Sequence, residues 1–224
     1  DRALKRKRFD WIAYAAQKTI EDKLCAWIKN AVEQTGIRDV CCAGGIFMNV
    51  KANKVISELD CIDDLTVIPS AADESSAIGA AYLGYVDHCK TKGVEPRVSA
   101  LKDIYLGNSV SNEQIKELVS QRGLDKEFDI TMHDDPEAEV ACLLAEGKIV
   151  ARVAGKMEFG ARALGNRSIL ANPSKQGVVQ DINDRIKSRD FWMPFAGSIL
   201  AEDQDRYIQN PKKLKAGYMM LCFD

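Results

Sequence analysis

The α/β organisation of the chain is set at residues 39–49, Asp39-Val40-Cys41-Cys42-Ala43-Gly44-Gly45-Ile46-Phe47-Met48-Asn49. Here a short apolar run, typical of a buried strand, is broken by a glycine pair and followed by a predicted helix over 49–59. On the N-terminal side, apolar residues three and four positions apart predict an amphipathic helix over 9–34. On the C-terminal side we expect a strand over 65–68 and a helix over 73–88. Strands that alternate with helices favour an α/β fold.

The stretch 90–103 is the predicted linker, because it holds Gly93, Pro96 and scattered charge. Beyond it the pattern resumes, with helices over 111–122 and 136–146 and a strand over 148–153. Ser111 and Gln114 have the spacing of a capping box at the start of the first of these helices. We therefore predict two domains, residues 1–98 and residues 99–224.

The composition excludes several classes of protein. The 224 residues are 46% hydrophobic, which is enough for a packed core rather than a disordered chain. The 31 basic and 33 acidic residues nearly balance, so the net charge gives no sign of a nucleic-acid partner. No apolar run approaches the roughly 18 residues of a membrane span. We expect small-molecule ligands and neither nucleic acid nor membrane as a partner.

The cysteines indicate a reducing compartment. There are seven of them, an odd number, with irregular spacing and no Cys-x-x-Cys pair. We interpret them as free thiols buried in a cytoplasmic protein, in preference to a disulfide or zinc framework.

The glycine pair Gly44-Gly45 is the first candidate site. Without Cβ atoms the backbone can approach a ligand closely, and the helix that follows offers free N–H groups to an anion. Asn49 and Asn53 would add amide contacts to a nucleotide. These residues alone leave open whether this is a nucleotide-binding turn or an ordinary strand–helix turn.

Asp73 lies where the second predicted strand gives way to a helix. Its carboxylate has two interpretations. It caps the N-terminus of the helix, or it binds a metal ion that faces a nucleotide phosphate.

A concentration of positive charge between residues 148 and 189 is the second candidate site. Only Glu158, Asp181 and Asp184 oppose the nine basic residues there, which are Lys148, Arg152, Lys156, Arg162, Arg167, Lys175, Arg185, Lys187 and Arg189. Glycines and aromatic residues interrupt the charges, which does not suit a plain solvated face. A nucleic-acid patch would need more basic residues and exposed aromatic side chains. Since Arg and Lys bind phosphate oxygens, we predict that these cations surround one small phosphorylated molecule.

Four segments carry a resemblance to a known family. The segments are Gly44-Gly45 with Asn49, the Asp73 segment with Ala77 and Gly79, and above all residues 155–173 and 183–196. They resemble the O-carbamoyltransferases of the nodulation-protein and antibiotic-tailoring type. The resemblance runs from about Phe9 onward but covers only the middle part of the family's length. The chain also starts at Asp1 rather than at Met, so we expect it to be a fragment of a longer protein.

The resemblance implies the fold and the reaction. Residues 1–98 would be the C-terminal half of an actin-like ATPase domain. Residues 99–224 would begin a second α/β domain, similar to threonylcarbamoyl-adenylate synthases, with a mixed twisted sheet. Such enzymes form a carbamoyl-adenylate from carbamoyl phosphate and ATP, and then carbamoylate a hydroxyl group of a sugar or natural product.

The same resemblance, taken with the charges, assigns the site residues. The carbamoyl-phosphate clamp would consist of Lys156, Arg162, Arg167, Lys187 and Arg189, with Ser168 as a hydroxyl donor. Gly44, Gly45, Asn49 and Asn53 would bind the nucleotide, with Mg²⁺ as a further candidate ion. Asp73 would complete an Fe²⁺ site, but the two histidines of that site have no match here, since His88 and His133 lie in no matching motif.

Two further functions remain open at this stage. The chain could be a non-catalytic nucleotide-binding module that keeps the fold. It could also be a carbamoyl enzyme of the hydrogenase-maturation type, although the cysteine pairs expected of that family are absent from this sequence. The sequence does not decide between a monomer and a homodimer.

Overall fold

A computed structural model describes residues 4–224, so the first three residues of the predicted domain 1–98 lie outside the described part. The helices are α1 (Phe9–Thr35), α2 (Val50–Ser57), α3 (Ser76–Thr91), α4 (Asn112–Arg122), α5 (Pro136–Ala145), α6 (Val178–Asp181) and α7 (Gln204–Tyr207). The strands are β1 (Asp39–Cys42), β2 (Asp64–Val67), β3 (Val150–Val153) and β4 (Arg167–Leu170). The predicted α/β class is confirmed, whereas the actin-like assignment stays a prediction.

The chain forms two compact units. The first comprises the chain through Ala100 together with Ile199–Asp224, and the second comprises Leu101–Ser198. The first break along the chain lies within the predicted linker. The second break has no counterpart in the sequence-based division, which assigned residues 199–224 to the second domain.

In the first unit, strands β1 and β2 pair in parallel, with Val40 opposite Leu65. Helix α1 precedes this pair and ends at Gly36, whose φ of 71° is left-handed, as expected of a glycine that terminates a helix. Helix α2 connects the two strands, as the sequence predicts. This β-α-β order places the glycine pair at the carboxyl end of β1.

The core of the first unit lies between α1, α2 and the strand pair. Leu24, Ile28 and Val32 form the buried stripe of α1, and Ile56 and Leu65 are almost fully buried beside them. The predicted apolar face of α1 is wider than this stripe, since Trp11 and Trp27 are each 61% exposed. Helix periodicity therefore located the helix correctly but overestimated the face that is buried.

The C-terminal segment returns to the first unit through polar contacts with backbone. The Asn53 side chain donates to the carbonyl oxygens of Phe47 and Met220, each at 2.7 Å. The Lys212 ammonium group donates to three carbonyl oxygens at and beyond the end of α2, those of Ser57, Leu59 and Ile62, at 2.7, 2.7 and 2.8 Å. A lysine thus satisfies carbonyls that a helix end leaves without partners.

We expect Lys212→Met to lower the free energy of unfolding by about 2–3 kcal/mol, because three carbonyl oxygens lose a charged donor. Lys213→Met is the matched control, since Lys213 pairs with Asp205 at the surface and such pairs contribute roughly 0–1 kcal/mol. Urea unfolding of both variants measures the difference. Equal stability of the two variants would show that the carbonyl contacts of Lys212 do not hold the C-terminal segment.

In the second unit, strands β3 and β4 pair antiparallel, with Ala151 opposite Ile169. The predicted capping box at the start of α4 is confirmed, because Gln114 N donates to Ser111 Oγ at 3.3 Å and Ser111 N to Gln114 Oε1 at 2.9 Å. The predicted mixed sheet is not what these residues form, since the sheet described within 101–198 consists of this antiparallel pair. Parallel pairing needs a long crossover, and the connection from β3 to β4 is a loop.

All seven cysteines are free thiols, as predicted, but only Cys42 and Cys89 are buried. Cys41 and Cys142 are exposed, and the other three are half-buried. Burial raises the pKa of the Cys42 thiol to about 11. None of the helices within residues 4–224 combines the length and the apolar character needed to cross a bilayer.

Candidate functional site

The glycine pair forms a tight turn between β1 and α2. Gly44 has φ 117° and ψ 150°, a conformation that residues with a side chain rarely adopt, and its N–H donates to the Ala71 carbonyl at 2.8 Å. A short 3-10 turn, Gly45–Met48, follows. A Cβ added at either glycine would have no atom within 4 Å. Glycine is therefore needed at position 44 for its backbone conformation, and not because a side chain would be crowded. The turn leaves its backbone accessible to a ligand.

The two predicted asparagines have different environments. Asn49 is half-buried and caps α2, since its Oδ1 accepts from Ala52 N at 3.1 Å. Asn53 is fully buried, and its amide donates to two backbone carbonyls inside the unit. We therefore interpret Asn53 as a residue that fixes the turn from behind, while Asn49 lies at the head of the helix beside the glycine pair.

Asp73 opens the short 3-10 turn that precedes α3, and it is exposed. Asp73 does not cap α3, because Ser75 occupies the N-cap position of this helix. The Ser75 hydroxyl donates to the carbonyls of Pro69 and Ser70. No group of three His, Cys, Asp or Glu side chains able to hold a metal ion occurs within residues 4–224. Asp73 alone does not make a metal site, so Fe²⁺ and Mg²⁺ binding stay predictions and no step is derived through them.

The second candidate site is built on the loop between β3 and β4, with Glu158 at its centre. Glu158 is 7% exposed, and its Oε1 accepts from the backbone N–H groups of Leu164, Asn166 and Arg167 at 2.8, 2.7 and 3.1 Å. Burial raises the pKa of this carboxyl, but the backbone N–H groups around it outweigh burial and hold the pKa below its usual value. The sequence shows Glu158 only as an acidic residue among cations and does not predict this binding to the backbone.

Two arginines hold the same loop through backbone carbonyls. Arg167 Nη1 donates to Ala154 O at 2.8 Å and Asn166 O at 2.9 Å, and its Nη2 reaches Asn108 O and Gly155 O at 3.4 and 3.3 Å. Arg152 donates to Gly165 O at 2.8 Å. The guanidinium group of Arg167, predicted for substrate, is thus occupied in shaping the loop in this structure.

Two cavities of the second unit are lined by different members of the predicted set of cations. Arg189 lines a cavity of about 650 Å³ with Asp184 and Asp190, whereas Lys148 and Arg185 line another of about 410 Å³. Lys156, Arg162, Arg167 and Lys187 line neither of these two cavities. Their joint action on one substrate therefore stays a prediction.

The other residues predicted to bind carbamoyl phosphate differ in exposure and in hydrogen-bond partners within the second unit. Lys156 and Lys187 are exposed and Arg162 is half-buried. Ser168 Oγ accepts from Gly165 N at 2.8 Å, which leaves its own proton free to donate. Arg189 donates to Asn183 Oδ1 at 2.8 Å and lies 4.4 Å from the centre of the Phe195 ring.

The sequence identifies Glu158 and Arg152 but not their role in holding the loop, and it gives no indication of Asn183. Asn183 is fully buried and connects Arg189 to Met193 O, to which it donates at 3.1 Å. Glu158 is the only acidic residue between Lys148 and Arg167, and this isolation is the signal that could have identified its role. Asn183 gives no comparable signal, because its role depends on a turn that is not visible in the sequence.

Two family models match this chain. The one described as Carbamoyltransferase N-terminus matches residues 2–82, and the one described as Carbamoyltransferase C-terminus matches residues 141–224. The first match contains the glycine turn and Asp73, and the second contains the loop built on Glu158. Each candidate site region therefore lies in a matched part of the chain.

Relatives point to the same family. An uncharacterized protein of Methanocaldococcus jannaschii is 34% identical over 216 residues, which are 94% of this chain and 34% of that protein. Nodulation protein NolO of Bradyrhizobium diazoefficiens is 33% identical over 200 residues, 89% of this chain and 36% of that protein. Nodulation protein U of Rhizobium fredii is 32% identical over 178 residues, 79% of this chain and 27% of that protein. The chain spans about a quarter to a third of the length of these curated relatives.

The chain belongs to the carbamoyltransferase family, with sequence from both its N-terminal and its C-terminal parts. The predicted resemblance to this family, including its nodulation-protein members, is confirmed.

Proposed function

We propose that this chain is part of an enzyme that carbamoylates a hydroxyl group of a sugar or natural product, using carbamoyl phosphate and ATP through a carbamoyl-adenylate. The observation that carries the proposal is the loop between β3 and β4. Glu158 accepts three of its backbone N–H groups, and Arg152 and Arg167 donate to its carbonyls. A glycine-rich loop held this firmly is a preorganised support for charged groups that bind an anion.

The proposed reaction depends on the stabilisation of negative charge and needs no covalent intermediate with the protein. Water releases carbamate and phosphate from carbamoyl phosphate. A carbamate oxygen then attacks the α-phosphorus of ATP, pyrophosphate leaves, and carbamoyl-adenylate forms. The acceptor hydroxyl attacks the carbamoyl carbon, and AMP leaves as the acceptor loses its proton. In each step negative charge moves onto phosphate oxygens, where fixed cations stabilise it.

The two units would divide this work. In the second unit, Lys156 and Arg162 lie on the anchored loop, Ser168 follows it on β4, and Lys187 and Arg189 lie beyond. We assign these groups to carbamoyl phosphate, with Arg167 acting mainly by holding the loop. In the first unit, the Gly44-Gly45 turn and Asn49 would bind the nucleotide, supported from behind by Asn53.

The direct test measures pyrophosphate release from ATP by the full-length protein, with and without carbamoyl phosphate. We expect release that depends on carbamoyl phosphate and that yields AMP when a hydroxyl acceptor is present. Nucleotide binding with no pyrophosphate release under any of these conditions would favour the alternative, a non-catalytic nucleotide-binding module.

A further inference from the structure

A chain of polar side chains runs from the interior of the first unit to the head of α2. Glu21 on α1 is 7% exposed, and its Oε1 accepts from Gln17 Nε2 at 2.8 Å. The same Gln17 nitrogen donates to Asn49 Oδ1 at 3.2 Å, and Asn49 Nδ2 donates back to Gln17 Oε1 at 2.8 Å. Gln17 and Asn49 therefore form a reciprocal amide pair, and a buried carboxylate anchors one end of it.

This arrangement allows only one orientation of both amides. Gln17 turns its NH₂ group toward Glu21, because Glu21 Oε1 accepts from it and only the nitrogen side of an amide donates. The Gln17 oxygen then faces Asn49 and requires the Asn49 NH₂ group. The N-terminus of α2 requires the oxygen side of the Asn49 amide, because Asn49 Oδ1 also accepts from Ala52 N at 3.1 Å. The Asn49 amide is thus fixed from two sides.

The fixed amide leaves one donor for a ligand. An NH₂ group carries two protons, and Gln17 accepts one of those on Asn49 Nδ2. Among residues 4–224 no acceptor is recorded for the second proton. Asn49 follows directly on the glycine turn, since its backbone N–H donates to Ile46 O at 3.1 Å. The residue that carries the free amide proton therefore lies one short turn beyond the accessible glycine pair.

We propose that Gln17 and Glu21 are positioning residues, which orient the Asn49 amide so that it donates to a nucleoside triphosphate bound at the Gly44-Gly45 turn. This inference rests on the proposed function, because it takes the nucleotide at this turn from it. Neither residue needs to contact the nucleotide. Burying a carboxylate whose partner is an uncharged amide lowers the stability of the fold. In return, the carboxylate of Glu21 fixes the orientation of the Gln17 amide.

The test measures the affinity of the chain for ATP by calorimetry. We expect Gln17→Met and Glu21→Leu each to raise the Kd about 10-fold, the effect of losing one oriented hydrogen bond. Glu21→Gln keeps an oxygen that accepts from Gln17, so its Kd should stay within about twofold of the wild-type value. Gln34→Met and Glu33→Leu are matched controls, because they make the same changes at exposed positions of α1.

A second measurement distinguishes positioning from stability. The side-chain NH₂ resonances of Asn49 in a ¹⁵N spectrum of the ligand-free chain should shift in Gln17→Met and Glu21→Leu and stay in place in Glu21→Gln. If the wild-type chain binds ATP and the first two variants bind it equally well, the inference is wrong and the proposed function stands. If the wild-type chain binds no ATP, the nucleotide site fails and the inference fails with it.

Discussion

Replacing Arg162 by alanine should lower carbamoyl-phosphate-dependent pyrophosphate release about 100-fold or more, the loss found when one donor to a developing oxyanion is removed. Arg162 lies on the loop that Glu158 anchors, four residues beyond that carboxylate and five before Arg167. A rigid support matters here, because a charge that must be reoriented during the reaction stabilises the transition state less than one already in place.

The comparison that isolates this effect uses Arg162→Lys and Lys175→Ala. Lysine keeps the charge but not the planar pair of donors, so Arg162→Lys should lie between the wild-type protein and Arg162→Ala in rate. Lys175 is exposed and is not one of the residues assigned to the carbamoyl-phosphate clamp, so its removal should leave the rate unchanged. A full rate in Arg162→Ala would remove this residue from the proposed site.

Glu158→Leu should lower the free energy of unfolding of the second unit by about 3 kcal/mol, because three backbone N–H groups lose their common acceptor. Glu146→Leu at the exposed end of α5 is the control and should change stability by less than about 0.5 kcal/mol. Chemical unfolding followed by fluorescence measures both. A Glu158→Leu variant as stable as the control would show that the carboxylate does not hold the loop.

The same carboxylate sets a pH dependence. The pKa of Glu158 is lowered in the folded chain, so its contribution is complete above the usual value of 4.5 and is lost as the pH falls below that value through the folded pKa. The stability difference between the wild-type protein and Glu158→Leu should therefore shrink on acidification below pH 4.5. A difference that stays constant from neutral pH into this acidic range would contradict the account of the loop.

Local signals predicted the elements of this fold well. Gly36 and the Ser111–Gln114 capping box each act within a few residues, so their effects can be read directly from the sequence. The return of the C-terminal segment could not be predicted in this way. Asn53 meets Met220, and Lys212 meets Ser57, across more than 150 residues, and no local pattern records such a pairing.

The candidate site was predicted by residue type but not by role. A run of cations indicates an anion, yet the sequence does not show which cations contact backbone carbonyls. Arg167 is the example, since its guanidinium group donates to four such carbonyls. In the first unit, the glycine pair and Asn49 were identified, whereas Gln17 and Glu21 were not, because on a helix they resemble ordinary polar positions.

Calorimetric titration of this chain with carbamoyl phosphate is the decisive measurement. We expect saturable binding that Arg162→Ala abolishes and that Asp73→Asn leaves unchanged, because Asp73 belongs to the first unit and Arg162 to the second. Binding that survives Arg162→Ala, or that disappears with Asp73→Asn, would contradict this expectation.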